Sequence, residues 1–217
     1  MADISIKHYS RYDCKSPENV LFGVRRRGAA SAFAAAYPAD NSRGTSACER
    51  AVTVGTESFV QRPSMRDEAV EAITGFVNEG IYGMQEPGKS IFCSTAALYI
   101  FRNKARWAVT GNAKIYYFSD GKLQSVSEGN EDVTLGKRLN LHCKFEPAFD
   151  LQKGVNSFLI ISGADNIIDL QISVLEDGLA ASSDAEEWVG RISSELEKQR
   201  CSALAVILPK KKFRLFG

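Results

Sequence analysis

The chain has 217 residues, a length suited to one domain, and its content of 44% hydrophobic and 24% charged residues is that of an ordinary globular protein. Lys+Arg 27 against Asp+Glu 26 gives a net charge of +1, so charge gives no reason to expect nucleic acid or an anionic membrane as a partner. No apolar stretch approaches the roughly 20 residues that a membrane-spanning helix requires. We therefore predict a protein without a membrane span.

The five cysteines stand at wide spacings and include no CxxC pair, which argues against a structural zinc site. Free thiols suit a reducing compartment, so we expect a cytoplasmic protein. His8 and His142 are too few for a histidine-rich metal site, and no phosphate-binding glycine loop or serine nucleophile motif is present in the sequence.

The first fifty residues give mixed signals. Residues 4–10 alternate between apolar and polar and predict a strand, and the apolar run 19–24 predicts a buried strand. Residues 29–37 are rich in alanine, which favours a helix that ends near Pro38. The polar residues 38–50 are typical of a loop.

The middle of the chain predicts one helix followed by a β meander. Apolar residues at helical spacing predict a helix over 64–82, with Ser64 as its N-cap. Four β-like segments follow, and Asp120-Gly121 between the last two predicts a tight hairpin. The segments are 90–101, 105–111, 114–120 and 122–127.

The C-terminal part adds two strands, at 157–162 and 202–209, with helical segments between them. Asp184 is the expected N-cap of the second of these helices. The order of elements indicates an α+β domain over 1–209, followed by a basic tail over 210–217.

Three consecutive arginines, Arg25, Arg26 and Arg27, are the most unusual local feature. They follow a predicted strand and precede a predicted helix, where guanidinium groups and helix N–H groups could bind an anion such as phosphate. A solvated basic turn explains the same run without any ligand.

The order of strands and turns resembles the type 2C (PPM) family of metal-dependent serine/threonine protein phosphatases. No single family motif is intact, and the resemblance spans nearly the whole chain. Its strongest part has a Gly-Thr-Thr-like strand, a second strand, a turn in place of Gly-Asp-Ser-Arg, and a strand that ends in Asp-Gly. These segments are Cys93–Leu98, 105–111, Gly111–Lys114 and 115–123; Asp165–Asp169 and 202–208 resemble the family's last two motifs.

The resemblance implies an α-β-β-α sandwich of two mostly antiparallel sheets flanked by helices. It also implies hydrolysis of phosphoserine and phosphothreonine by water bound between two Mn²⁺ or Mg²⁺ ions, which carboxylates hold. Arg25 stands where this comparison places the bridging aspartate, and Cys201 or Ser202 where it places the final one. Asp13 and Asp165 are the remaining candidate ligands; without a one-residue insertion, Ala164 takes the place of Asp165.

We therefore expect a catalytically inactive domain of this fold, with no catalytic residue and no bound metal, that acts as a binding or regulatory module. A kinase or a phosphoprotein is the kind of protein partner that the resemblance suggests. One alternative is a divergent phosphatase that depends on Mn or Mg. Another is a phosphate- or phosphopeptide-binding module that uses Arg25, Arg26 and Arg27.

Overall fold

Two five-stranded antiparallel sheets lie face to face, and two helices cover the outer face of each. The structure is a computed structural model that describes residues 4–11, 21–39, 44–88, 91–141, 145–164, 167 and 169–209. This arrangement confirms the predicted α+β class and the α-β-β-α sandwich.

The first sheet consists of β1 (Ser5–Ser10), β6 (Ala113–Ser119), β7 (Lys122–Glu128), β9 (Asn156–Gly163) and β10 (Cys201–Leu208), in the spatial order β1-β10-β9-β6-β7. The second sheet consists of β2 (Phe22–Arg27), β3 (Ala30–Pro38), β4 (Cys93–Phe101), β5 (Lys104–Thr110) and β8 (Phe149–Asp150), in the order β2-β3-β4-β5-β8.

The helices pack in pairs on the outer faces. Helices α1 (Gly44–Gln61) and α2 (Asp67–Tyr82) cover the second sheet, and α3 (Ile172–Ala180) and α4 (Ala185–Leu196) cover the first. As predicted, Asp184 caps α4, because its carboxylate accepts hydrogen bonds from the N–H groups of Glu186 and Glu187, both at 2.9 Å.

Alternation along the strands of the first sheet separates two hydrophobic clusters. On β9, Phe158 and Ile160 face the second sheet, whereas Leu159 and Ile161 face the helices. The outer cluster is built around Trp188 of α4, which is fully buried and whose indole N–H donates to the carbonyl of Leu175 at 3.1 Å. Both faces of this sheet are therefore packed, which fixes the positions of its strand ends.

The β meander is confirmed, including its hairpin between β6 and β7. Asp120 and Gly121 both have positive φ, 47° and 80°, as a two-residue hairpin turn requires. The Asp120 carboxylate also accepts a hydrogen bond from the N–H of Val155 at 3.0 Å, so the turn supports the start of β9.

Two predictions about the N-terminal part are wrong. The alanine-rich segment is strand β3, paired on one side with β2 and on the other with β4, and not a helix. The segment 38–50, predicted as a loop, contains the start of α1. The helix predicted over 64–82 is confirmed as α2, but its N-cap is Arg66 and not Ser64.

Candidate functional site

Polar groups from both sheets meet at one end of the sandwich, where β3, β9 and β1 end and β4, β6 and β10 begin. The hydroxyl of Ser162 on β9 donates to the carbonyl of Ser94 on β4 at 2.7 Å, and the Ser94 hydroxyl accepts from the N–H of Asn112 at 3.0 Å. The hydroxyl of Tyr37 on β3 donates to the carbonyl of Arg11 at 3.5 Å. We call this end of the molecule the hydroxyl end.

The strand register brings two of the implied ligand positions together there. Gly163, the last residue of β9, is the partner of Cys201, the first residue of β10, and Ser162 is the partner of Ser202. The N–H of Ala164 then donates to the carbonyl of Arg200 at 3.1 Å, which continues the pairing past the strand ends. The end of β9 and the start of β10 are therefore adjacent, as the family resemblance requires.

The residues at the start of β10 are neutral and fully buried. Burial raises the pKa of the Cys201 thiol to about 12, and this thiol lies 3.9 Å from the carbonyl of Leu196. The Ser202 hydroxyl lies 3.5 Å from that of Ser10. At neutral pH Cys201 is a protonated thiol, and thiolate is the form that binds metals.

A cation on β6 holds the segment that follows β9. The ammonium of Lys114 contacts the carboxylates of Asp169 and, at 3.0 Å, Glu128. Burial alone would lower the pKa of Lys114, but the hydrogen bonds to these two carboxylates outweigh it and raise the pKa. The side-chain amide of Asn112 adds a bond to the carbonyl of Ala164 at 3.1 Å, so both ends of the 164–169 segment are anchored.

Arg25 does not lie at the hydroxyl end, where the resemblance would place the bridging aspartate. Its register partner on β3 is Ala32, whereas Tyr37, the partner of Ser94, lies five residues further along that strand. At about 3.3 Å per residue this separation is about 17 Å. The Arg25 guanidinium points to α1, where Nε and Nη2 both donate to Glu57 at 3.2 Å.

The helix N-terminus expected after Arg27 is also absent from this stretch, since residues 21–39 of the structure form a hairpin of β2 and β3 that turns at Gly28 with φ 57°. Arg26 contacts the carbonyl of Ile4 at 3.5 Å, and Arg27 is exposed. The physical basis of the proposed anion site, helix N–H groups beside three guanidinium groups, is therefore not present.

The other predicted ligands, Asp13 and Asp165, lie outside the described residues, as do the basic tail 210–217 and His142. Because residues 30–38 form strand β3 and not a helix, a different acidic residue follows the strand that leads into the first helix. Because β3 and not β2 leads into the first helix, the acid nearest to the end of this strand is Asp40, which also lies outside the described residues.

The described residues of the hydroxyl end do not fit a dinuclear Mn²⁺ or Mg²⁺ centre. They offer hydroxyls, one side-chain amide, backbone carbonyls, a protonated thiol and the carboxylates of Glu128 and Asp169. Both carboxylates already pair with the ammonium of Lys114, whereas these hard cations take carboxylates as ligands. Within the described ranges, no three His, Cys, Asp or Glu side chains are grouped so that they could hold a metal ion. Sequence reasoning missed the hydroxyl network, although Ser94, Ser162 and Ser202 each stand at the polar end of an apolar strand.

Comparison with solved structures identifies the fold as that of the PPM serine/threonine phosphatases. The PPM phosphatase MsPP from Mycobacterium smegmatis, in complex with cacodylate, superposes with a TM-score of 0.69 at 14% identity over 95% of this chain and 97% of that one. The catalytic domain of the phosphatase PstP with two manganese ions gives 0.70 at 13% identity over 96% and 100%.

PppA, a regulatory component of the type VI secretion system of Pseudomonas aeruginosa, gives a TM-score of 0.65 at 18% identity over 94% of this chain and 96% of PppA. No protein-family model matches this sequence, and no curated protein matches it. The likeness therefore establishes the fold. In the part of the chain that the structure describes, no helix is long and apolar enough to cross a membrane.

Proposed function

We propose that this domain is a catalytically inactive PPM-fold module that acts by binding a protein partner. The observation that carries the proposal is the start of β10, where the family resemblance calls for a metal-binding aspartate. Cys201 and Ser202 fill these two positions, both are 0% exposed, and the pKa of Cys201 is raised to about 12. Neither side chain supplies the negative oxygen that Mn²⁺ or Mg²⁺ requires.

The loss of one carboxylate is sufficient for this argument. In a two-metal hydrolase the two ions together stabilise the attacking and the leaving oxygen. The loss of a ligand to one ion therefore weakens the stabilisation of both oxygens. The neighbouring hydroxyls of Ser10, Ser94 and Ser162 are used in contacts within the protein and carry no charge. The hydroxyl end is therefore better suited to rigid packing than to metal chemistry.

A binding role is supported by the fold rather than by a located interface. The fold is shared with PppA, which is described as a regulatory component of a secretion system. A phosphoprotein or a kinase is the partner class that we propose, since the fold's active members handle phosphorylated side chains.

A divergent metal-dependent phosphatase is the second candidate, and the observed position of Arg25 favours it. Arg25 no longer opposes a metal, because it lies about 17 Å along the strand and pairs with Glu57. Asp40, Asp13 and Asp165 remain available in the sequence as carboxylates.

Hydrolysis assays separate the two candidates. We expect p-nitrophenyl phosphate and a phosphothreonine peptide to be hydrolysed no faster than in a blank without protein, across a Mn²⁺ and Mg²⁺ series, and Mn²⁺ to leave the melting temperature unchanged. Mn²⁺-dependent turnover that disappears in Asp40→Asn or Asp165→Asn, while Asp150→Asn keeps it, would refute inactivity. Asp150 is the matched control, because it lies in β8 and pairs with Lys104, at the end of the second sheet opposite the hydroxyl end.

A further inference from the structure

The outer face of α2 exposes an aromatic side chain. Phe76 is 55% exposed, more than any other large hydrophobic side chain in the described part of the chain, and Tyr82 at the end of the same helix is 40% exposed. The Cζ atom of Arg50 on α1 lies 5.9 Å from the centre of the Phe76 ring, a cation–π contact that holds the ring at the surface. An exposed ring alone is common on proteins, and the residues around it decide what it can bind.

The side chains around Phe76 are acidic. Helix α2 contains four acidic residues and no basic one. Three of the four, Glu68, Glu71 and Glu79, are exposed and form no ion pair with any residue that the structure describes. Glu79 follows Phe76 by three positions and is therefore its neighbour on the helix surface. Unpaired carboxylates beside an exposed ring favour a partner that is both basic and apolar.

The helix backbone is accessible beside the ring. Gly75 lies in the middle of α2, where glycine is less favourable than alanine. A Cβ added to Gly75 would have no atom within 4 Å, so packing within the chain does not require a glycine there. Together with Ala72, one helical turn before Phe76, it leaves a shallow surface on which another chain can lie against the helix with the ring at its side.

The complementary chemistry is found in this chain's own segment 210–216, Lys-Lys-Lys-Phe-Arg-Leu-Phe, which lies outside the described residues. The segment contains four cations and two phenylalanines, and it has no acidic residue. Its lysines and its arginine can pair with the carboxylates of α2, while Phe213, in the middle of the segment, packs on Phe76.

The middle of this segment cannot reach the face of α2 within one copy. Pro209 follows β10 in the first sheet, whereas α2 lies outside the second sheet. Sheets pack about 10 Å apart and a helix with its side chains is about 10–12 Å across, so the exposed face of α2 is at least about 20 Å from β10. Phe213 is four residues beyond Pro209, a stretch that spans about 14 Å at most. A second copy must therefore supply the segment.

We propose that the exposed face of α2, formed by Glu68, Glu71, Phe76 and Glu79, binds the basic segment 210–216 of a second copy of this chain. Two copies that exchange their segments reciprocally form a closed dimer. The contact lies on the helix layer and is separate from the hydroxyl end. It does not depend on the proposed function, because it requires neither catalytic inactivity nor a phosphoprotein partner.

The test measures the mass of the full chain by sedimentation velocity over a concentration series of about 1–200 μM. We expect the mass to rise from that of one copy to that of two copies or more as the concentration increases. Raising NaCl from about 0.05 M to about 0.5 M should weaken the association, because salt screens exposed ion pairs.

Charge reversal locates the contact. Glu71→Lys with Glu79→Lys should raise the Kd of association at least about tenfold, and so should Lys211→Glu with Lys212→Glu, because each change sets like charges against each other. The chain that carries all four changes should associate again, since the opposite signs are restored.

The ring is tested separately. Phe76→Ser should raise the Kd about tenfold or more through the loss of apolar contact. The matched controls are on α3, which covers the other sheet: Ile172→Ser, where the side chain is 39% exposed, and Asp177→Lys, where it is also exposed, should leave the Kd unchanged. Circular dichroism checks the folding of each variant, and if Phe76→Ser does not fold, the charge reversals and their combination carry the test.

A mass of one copy at every concentration overturns the proposal, whether the segment binds within its own copy or binds nothing. Association that survives reversal of the charges on α2 also overturns it, because the contact then lies elsewhere. Failure of the fourfold variant to associate again has the same meaning, since it shows that the two sets of charges do not face each other.

Discussion

Replacing Lys114 with methionine tests how strongly the segment after β9 is held to the first sheet. The side chain of Lys114 is 11% exposed and contacts two carboxylates, those of Glu128 and Asp169, which are 56% and 87% exposed. Methionine keeps most of the buried length and removes the charge. The variant therefore isolates the two ionic contacts from the packing of the side-chain stem.

The expected loss of stability follows from the exposure of Lys114 and its two partners. A hydrogen bond to a charged group contributes about 1.5–3 kcal/mol when shielded, and exposed ion pairs contribute about 0–1 kcal/mol. Because Lys114 is nearly buried but both partners reach solvent, we expect a total of about 1–2 kcal/mol. For a chain of this length that lowers the melting temperature by roughly 2–8 °C.

The contribution of Lys114 to stability depends on pH in a definite direction. The folded-state pKa of Lys114 is raised, so its contribution is fully present below its unfolded pKa of about 10.4 and is lost as pH rises through the folded pKa. The difference between the natural chain and Lys114→Met should be constant near neutral pH and shrink above about pH 10.5.

Thermal melts followed by circular dichroism measure this difference, and the double variant with Asp169→Asn gives the coupling between the two residues. Lys7→Met is the control, because Lys7 forms an exposed pair with Glu186 at 3.2 Å. A melting temperature unchanged in Lys114→Met, or a loss no larger than that in Lys7→Met, would refute this account of the segment.

Three further predictions concern α4, β10 and α3. Asp184→Ala should cost about 1 kcal/mol through loss of the N-cap bonds, whereas Asp184→Asn should retain most of the stability, as measured by urea unfolding. Cys201 should resist alkylation in the native protein at pH 8 and react after unfolding, because burial raises the pKa of its thiol; native labelling at the rate of a free thiol would contradict this. The N–H of Leu123 and the ammonium of Lys122 hold the pKa of Glu176 below its usual range. Its contribution to stability is therefore present above the unfolded pKa of about 4.3 and is lost as pH falls through the folded pKa. Urea unfolding should give Glu176→Gln a lower free energy of unfolding than the natural chain at pH 7 and the same value in acid.

The strands of the meander were predictable because their local and tertiary signals agree. Strands β6 and β7 combine β-branched and aromatic residues with a turn, Asp120-Gly121, whose residue types match its positive φ values. The cap at Asp184 is a similar case, since the side chain and the helix start are close in sequence.

Strand β3 was not predictable from local propensity, because its alanines serve a tertiary purpose. The strand lies inside the second sheet between β2 and β4, with the first sheet on one face and α1 on the other, and eight of its nine residues are buried. Small side chains let α1 approach closely; on neighbouring β2, a Cβ added to Gly23 would lie 2.4 Å from the carbonyl oxygen of Val52. Alanine is used here for its size, which a helix propensity scale does not measure.

Helix α1 was missed for the complementary reason. Its sequence, GTSACERAVTVGTESFVQ, contains glycine, threonine and valine, which are weak helix formers, and packing on the second sheet supplies what local propensity lacks.

The wrong prediction for β3 also determined which residue was placed at the position of the bridging aspartate. Taking β3 for a helix made β2 the strand that leads into the first helix and put Arg25 in the place of the bridging aspartate. With β3 in its correct position, the same alignment rule points past Pro38 to Asp40, and Arg25 becomes a partner of Glu57 on a helix-covered face. The case for inactivity then depends on β10, whose pairing with β9 fixes Cys201 and Ser202 opposite Gly163 and Ser162. An antiparallel ladder eight pairs long does not slip by one residue without turning its buried side chains to the opposite face, so the register holds these two neutral residues at the start of β10.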